Sequence, residues 1–344
     1  MKMNTNKRLV FWSAALLLPL AVSLGFGEVL LRVSGYKVWK YFTFDANEPV
    51  VYQFDPVLGW SNREGRYTVP TVKLGGKEFT VSFLSNGTRA TEERKDKNDR
   101  RGKILIVGGS FAQGWGISDE DTFAWKLQRE FPSVNVLNYG TGGYGTYQSL
   151  LLLEKVLPVS GGVDMVLYGY TQWHEERNVA TSDWLNALSR FSTRKYACGV
   201  PYATINRYGV LCRNAPERYP SWPLREFLVT STMAEKMFMK LKTIRRSSQQ
   251  TMMTEKILLE MDALSMKHGS AFTVLLLSCE ENVKKHYTTF LHDNNMGVVD
   301  CVYRVTGRMV ADDGRHPNGR LNSLYSKRIA EALKCLNRNL IPEK

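Results

Sequence analysis

Ser110, Asp313 and His316 are the residues of this chain whose types suit nucleophilic chemistry. A serine hydroxyl becomes a useful nucleophile when an imidazole takes its proton and a carboxylate holds that imidazole in place. Ser110 lies in the run Lys103-Ile-Leu-Ile-Val-Gly-Gly-Ser110-Phe-Ala-Gln-Gly114. His316 lies in Asp312-Asp313-Gly-Arg-His316-Pro-Asn, just before an amphipathic stretch. Asp313, three residues before the histidine, is spaced to reach one ring nitrogen and turn the other towards the serine, with Asp312 as the competing carboxylate. The bland alternative is a loop in which Asp313 caps the following helix and His316 is solvated. The residue types point to acyl transfer, by an esterase or an acyltransferase.

Such groups need a scaffold. Ile104 to Val107 reads as a buried strand, and Gly108-Gly109 allows a sharp turn that exposes the serine at its carboxyl end. A helix starting near Gly114 to Asp121 would leave the Ser110 N–H free to face an oxyanion. Further strands are expected at 134–138, 164–170, 271–277 and 297–303, with helices at 122–131, 148–157, 281–295 and 319–338. Apolar strands alternating with amphipathic helices specify an α/β fold, a parallel sheet covered on both faces.

The remaining segments frame this unit. Residues 1–8 are basic, and 9–31 form an apolar stretch read as an uncleaved signal anchor, with cleavage as the alternative. Lys2, Lys7 and Arg8 favour a cytoplasmic N-terminus; Arg32, Lys37 and Lys40 on the far side weaken that bias. Residues 44–100 read as an irregular strand-rich lead-in, and 101–340 as the catalytic unit with an insertion at about 179–268. The first half of the insertion, rich in Tyr, Trp, Arg and Pro, is expected to cap the site, and the Met residues of the helical second half are expected to fill core. Cys198 and Cys212 are spaced for a disulfide; Cys279, Cys301 and Cys335 read as buried thiols. No Cys/His spacing suits a metal, and no cofactor is expected. The net charge of +13 comes without a nucleic-acid-binding signature, so nucleic acid is not an expected partner.

With the blocks between them, these pieces resemble the SGNH hydrolase family, also called GDSL esterases, over about residues 103–338. The family's Gly-Asp-Ser turn is matched by Gly108-Gly109-Ser110, its second block by Asn138-Tyr-Gly-Thr-Gly-Gly143-Tyr-Gly145, and its last by Asp313-Gly-Arg-His316. The resemblance implies a flavodoxin-like, three-layer sheet, Ser110 as nucleophile, His316 as base, and oxyanion donors from the N–H groups of Ser110 and Gly143. Two departures stand out. Gly109 replaces the usual aspartate, and the expected Gly-x-Asn-Asp of block III reads Tyr168-Gly-Tyr-Thr-Gln-Trp-His174-Glu-Glu-Arg-Asn178. His174 is the substitute expected for the missing donor, and Asn178 the outside candidate.

The function expected is hydrolysis of a small acyl ester, such as acetyl, on a cell-envelope glycan or glycolipid by a single-pass, extracytoplasmic (periplasmic) enzyme. The rivals are an O-acyltransferase using the same triad on an exported polysaccharide and a non-catalytic glycan-binding or assembly protein.

Overall fold

The computed structural model describes residues 5–42, 49–70, 76–93, 102–191 and 199–336. Helix α1 (Thr5–Val33) is followed by two hairpins, β1 (Tyr52–Asp55) with β2 (Gly59–Asn62) and β3 (Gly65–Val69) with β4 (Phe79–Phe83). The α/β unit then runs β5 (Gly102–Gly108), α2 (Ser110–Gln113), α3 (Phe123–Glu130), β6 (Val134–Asn138), α4 (Thr146–Val156), β7 (Met165–Thr171) and α5 (His174–Asn178). The insertion contributes α6 (Ser182–Ser189), the hairpin β8 (Val200–Ile205) and β9 (Leu211–Glu217), α7 (Val229–Ser247) and α8 (Gln250–Lys267). The chain returns with β10 (Ala271–Ser278), α9 (Glu281–Asp293), β11 (Gly297–Asp300) and α10 (Gly319–Leu336).

The central sheet is five-stranded and parallel, in the order β6-β5-β7-β10-β11. Numbered within the unit this is 2-1-3-4-5, the flavodoxin-like order, whose ligand crevice opens beside the first strand. Side chains alternate between the faces, as the period of a strand requires. Leu105, Val107, Val166, Tyr168, Val274 and Leu276 enter a core shared with α4, α8 and α9. Ile104, Ile106, Met165, Leu167, Leu275 and Leu277 enter the other, shared with α3 and α10. Three layers result, with loops converging at the carboxyl ends of the strands.

Several expectations need adjusting. The helix after the nucleophile strand begins on Ser110 itself and lasts four residues, ending at Gly114. The lead-in is joined to the sheet, because Arg89 bridges both Phe83 and Asn138 at the end of β6. The β8–β9 hairpin packs against α4, α5 and α8 rather than over α2, so among the described residues it is a flank and not a cap. Met239, Met253 and Met261 fill core as expected, but Met237, Met252 and Met266 are exposed. Cys301 is buried and Cys279 half-buried, whereas Cys335 is exposed on α10. Burial pushes the Cys279 thiol up to about 11 and the Cys301 thiol up to about 12, so both stay protonated at neutral pH. Cys198, one half of the expected disulfide, lies outside the described residues.

Candidate active site

Ser110 opens α2 directly after β5, so its hydroxyl stands at the carboxyl edge of the sheet. The loop before α10 brings His316 to it. His316 Nε2 lies 2.9 Å from Ser110 Oγ, and Nδ1 lies 2.5 Å from Asp313 Oδ2. The second carboxylate oxygen, Oδ1, accepts the backbone N–H groups of Arg315 at 2.9 Å and His316 at 3.0 Å. Partial burial favours the neutral acid, but the imidazole and these two N–H groups outweigh it and hold Asp313 down to about 2. Asp313 is therefore ionised at working pH, fixing Nδ1 as the donor and Nε2 as the acceptor of the Ser110 proton. The alternative roles fall to other residues. Asn318 Oδ1 caps α10, accepting from Arg320 and Leu321, while Asp312 accepts the Lys77 N–H at 3.0 Å.

The turn 138–145 is built onto α2. Thr141 N donates to Gly108 O at 3.0 Å, and Asn138 Nδ2 donates to Ala112 O at 3.0 Å. Gly143 holds a φ of +84°, and a Cβ there would lie 3.0 Å from the Trp60 ring, so the position demands glycine on both counts. The N–H groups of Ser110 and Gly143 have no acceptor among the described residues. Trp60 Nε1 donates to Gly142 O at 2.9 Å. Gly142 C=O and Gly143 N–H belong to one peptide unit, so this bond orients the proposed oxyanion donor.

His174 and Asn178 lie elsewhere than the sequence suggested. Asn178 is fully buried; its Nδ2 donates to Thr146 Oγ1 at 2.9 Å and Thr254 Oγ1 at 2.8 Å, and its Oδ1 accepts the Tyr147 N–H at 2.9 Å. No N–H of that amide remains for a substrate. His174 is 1% exposed and lies behind the nucleophile turn. Tyr168 Oη lies 2.8 Å from Thr146 Oγ1 and 2.7 Å from His174 Nδ1. The other ring nitrogen, Nε2, sits 2.6 Å from where a Cβ on residue 109 would be. Burial, aided by nearby Arg177, holds the imidazole well below its ordinary value, so it is neutral. A side chain at position 109 and the imidazole of His174 thus compete for one volume.

Sequence reasoning missed the residues that hold the nucleophile turn from the lead-in. Gln113, the last residue of α2, donates to Asn62 Oδ1 at 3.0 Å and accepts from Tyr52 Oη at 3.1 Å. Asn62 in turn donates to Gly140 O at 3.1 Å. Arg89, wholly buried, pairs with Asp119 at 2.9 Å and donates to the carbonyls of Gln113, Gly114 and Ile117. It satisfies the carbonyls left open where α2 ends. At the mouth, Phe111 lies between His316 and Trp173, with ring centroids 5.8 and 5.6 Å away, and Trp173 is 41% exposed.

No protein-family model and no curated protein matches the chain. Among solved structures it is similar to the crystal structure of TesA, at 13% identity and TM-score 0.40, over 68% of this chain and 99% of that one. It is similar to a member of the lipolytic G-D-S-L family from Veillonella parvula, at 12% identity and TM-score 0.39, over 69% and 100% of the two chains. A carbohydrate esterase family 3 structure from Talaromyces cellulolyticus matches at 13% identity and TM-score 0.36, over 69% and 98%. Both measures are low, and the likeness is one of fold alone.

Proposed function

We propose that the chain is a serine ester hydrolase of the SGNH type, and the observation that carries this is the continuous Ser110–His316–Asp313 hydrogen-bond relay of 2.9 and 2.5 Å. Ser110 Oγ attacks the acyl carbon while its proton passes to His316 Nε2. The oxyanion that forms is met by the N–H groups of Ser110 and Gly143. Collapse breaks the ester C–O bond, and the proton on His316 goes to the departing alcohol. Water then gives a proton to His316 and attacks the acyl-enzyme, releasing the acid and restoring Ser110.

The substrate class proposed is a small acyl ester, acetyl above all, on a saccharide or glycolipid. An exposed indole beside the triad, Trp173, suits stacking on a sugar face. Helix α1 contains one apolar stretch, Phe11–Val33, long enough to cross a membrane, and none of it is buried. We read it as a single-pass anchor with the basic N-terminus inside, which puts the catalytic unit on the outer side of the cytoplasmic membrane.

Hydrolysis of p-nitrophenyl acetate and butyrate by the detergent-solubilised chain tests the chemistry. Ser110→Ala and His316→Ala should each lower kcat by roughly 10⁶-fold, with circular dichroism unchanged. Asp313→Asn should lower it by about 10⁴-fold, because the imidazole loses its orienting acceptor. Since Asp313 stays ionised until the pH falls to about 2, loss of activity on mild acidification does not arise from it. The stabilising part of its depressed value is present above the ordinary carboxylate range and is lost only on descent towards that pH. Equal turnover by wild type and Ser110→Ala would sink the reading.

A further inference from the structure

Helix α7 carries its polarity inside out. The face packed into the protein holds Thr232, Glu235, Thr243 and Arg246, with Val229 at the start of the helix and Met239 at its middle as the apolar members. These polar groups are bonded inward. Glu235 accepts the Trp222 N–H at 2.8 Å, Thr232 donates to Arg225 O at 2.7 Å, and Arg246 donates to Ala180 O at 2.6 Å. The outward face presents Met237, Leu241 and Ile244, at 65, 66 and 60% exposure, on one stripe at helical spacing. Exposed Lys236 and Lys240 flank it on one side and Arg245 on the other. Surface helices ordinarily turn such a stripe to the core.

The N-terminus of the same helix is tied to the end of the apolar helix α1. Glu28 accepts from Val229 N at 2.9 Å and Thr230 N at 2.8 Å, and Arg32 donates to Phe227 O at 2.6 Å. Phe227 and Leu224, just before α7, are exposed to 71 and 59%. Trp39, beyond the anchor, donates to Arg225 O at 3.2 Å, and Arg225 lies over its ring at 3.7 Å. The helix that carries the apolar stripe therefore starts beside the end of α1, a segment that also carries exposed Arg32, Lys37 and Lys40.

We propose that α7 is a second membrane contact, lying in the headgroup region of an anionic bilayer with Met237, Leu241 and Ile244 inserted and its basic flanks on lipid phosphates. An interfacial helix of this kind needs an apolar stripe with basic margins, and α7 has both. A second copy of the chain is the poorer occupant, because a two-fold contact would bring like-charged margins together. With Glu28 fixing one end of α7 at the anchor, insertion of the stripe holds the catalytic unit in one attitude to the membrane. The inference rests on the anchor reading and is independent of the ester chemistry.

The test uses the full chain in vesicles, with a genetically encoded fluorescent residue at Leu241 or, as control, at exposed Tyr208 in the β8–β9 turn. Flotation of both with the vesicles reports the anchor. Spin-labelled lipid should then quench the probe at 241 severalfold more than at 208, and more in anionic than in zwitterionic bilayers. Adding Met237→Glu and Ile244→Glu, both solvent-facing and so harmless to folding, should abolish the difference. Probes equally open to an aqueous quencher would overturn the proposal. So would a probe at 241 shielded from both quenchers in every lipid, which would mark a contact between copies. Failure to float would overturn the anchor reading and this proposal together, leaving the esterase assay untouched.

Discussion

The lead-in and the insertion are both additions to one parallel sheet, and they do opposite things. The lead-in turns its polar groups inward, onto the loops that carry the chemistry: Tyr52, Asn62 and Arg89 all bond to α2 or the turns beside it. The insertion lies along the helix layer, bonded through buried contacts away from the triad, such as Thr254 with Asn178, and through exposed ion pairs such as Arg213 with Glu154, and presents an apolar helix face outward. A segment poor in regular structure can thus be more essential to a site than one with long helices. What decides is whether its polar groups meet the site's open backbone groups in a place water does not reach.

The sharpest way to break that comparison is Arg89→Leu. The side chain is fully buried beside Asp119 and bonded to three carbonyls near the end of α2. Removing it leaves a buried carboxylate without its counter-ion, a loss of about 3–5 kcal/mol. The midpoint of urea unfolding should fall accordingly, and activity at temperatures where the variant is still folded should fall too, since α2 loses its C-terminal partner. A variant as stable and active as wild type would show that the lead-in is only an appendage.

Trp60→Phe sharpens the same point with a smaller change. The Nε1–H to Gly142 O bond is lost together with the outer indole carbons, among them the Cζ2 nearest Gly143, so some loss of stability accompanies it. One such bond is worth about 0.5–1.5 kcal/mol. If it orients the Gly143 N–H towards the oxyanion, kcat should fall roughly 2- to 10-fold with KM little changed. A merely structural tryptophan would lower the unfolding midpoint and leave kcat alone.

The triad types and the strands that bear them are legible in the sequence because each sits in a local pattern: an apolar run, a glycine pair, a carboxylate three residues before a histidine. The lead-in's role is not legible, since Arg89, Asn62 and Trp60 reach partners 24 to 82 residues away with no periodicity to announce them. The pairing of Gly109 with His174 left a trace in the sequence, as two departures from one family pattern. Only the geometry shows that His174 Nε2 occupies the space a Cβ at position 109 would need. Met237, Leu241 and Ile244 stand at helical spacing, but periodicity cannot say which face is inside. Here the buried face is held by bonded polar groups, and the usual inference from stripe to core reverses.

The smallest expected effect belongs to the insertion. Arg213 meets Glu154 at 2.5 and 2.8 Å and Glu260 at 3.5 Å, but its side chain is 47% exposed and those of the two acids 33 and 42%. Water and salt screen such pairs, and holding three flexible side chains together offsets part of the gain. Arg213→Ala should therefore cost less than about 1 kcal/mol, with the difference from wild type shrinking in high salt. Turnover of p-nitrophenyl acetate should be unchanged, because Arg213 bonds to Glu154 and Glu260 and to no residue of the triad or its turns. A loss of kcat in this variant, without a loss of fold, would show the hairpin coupled to the site after all and erase the distinction between the two additions.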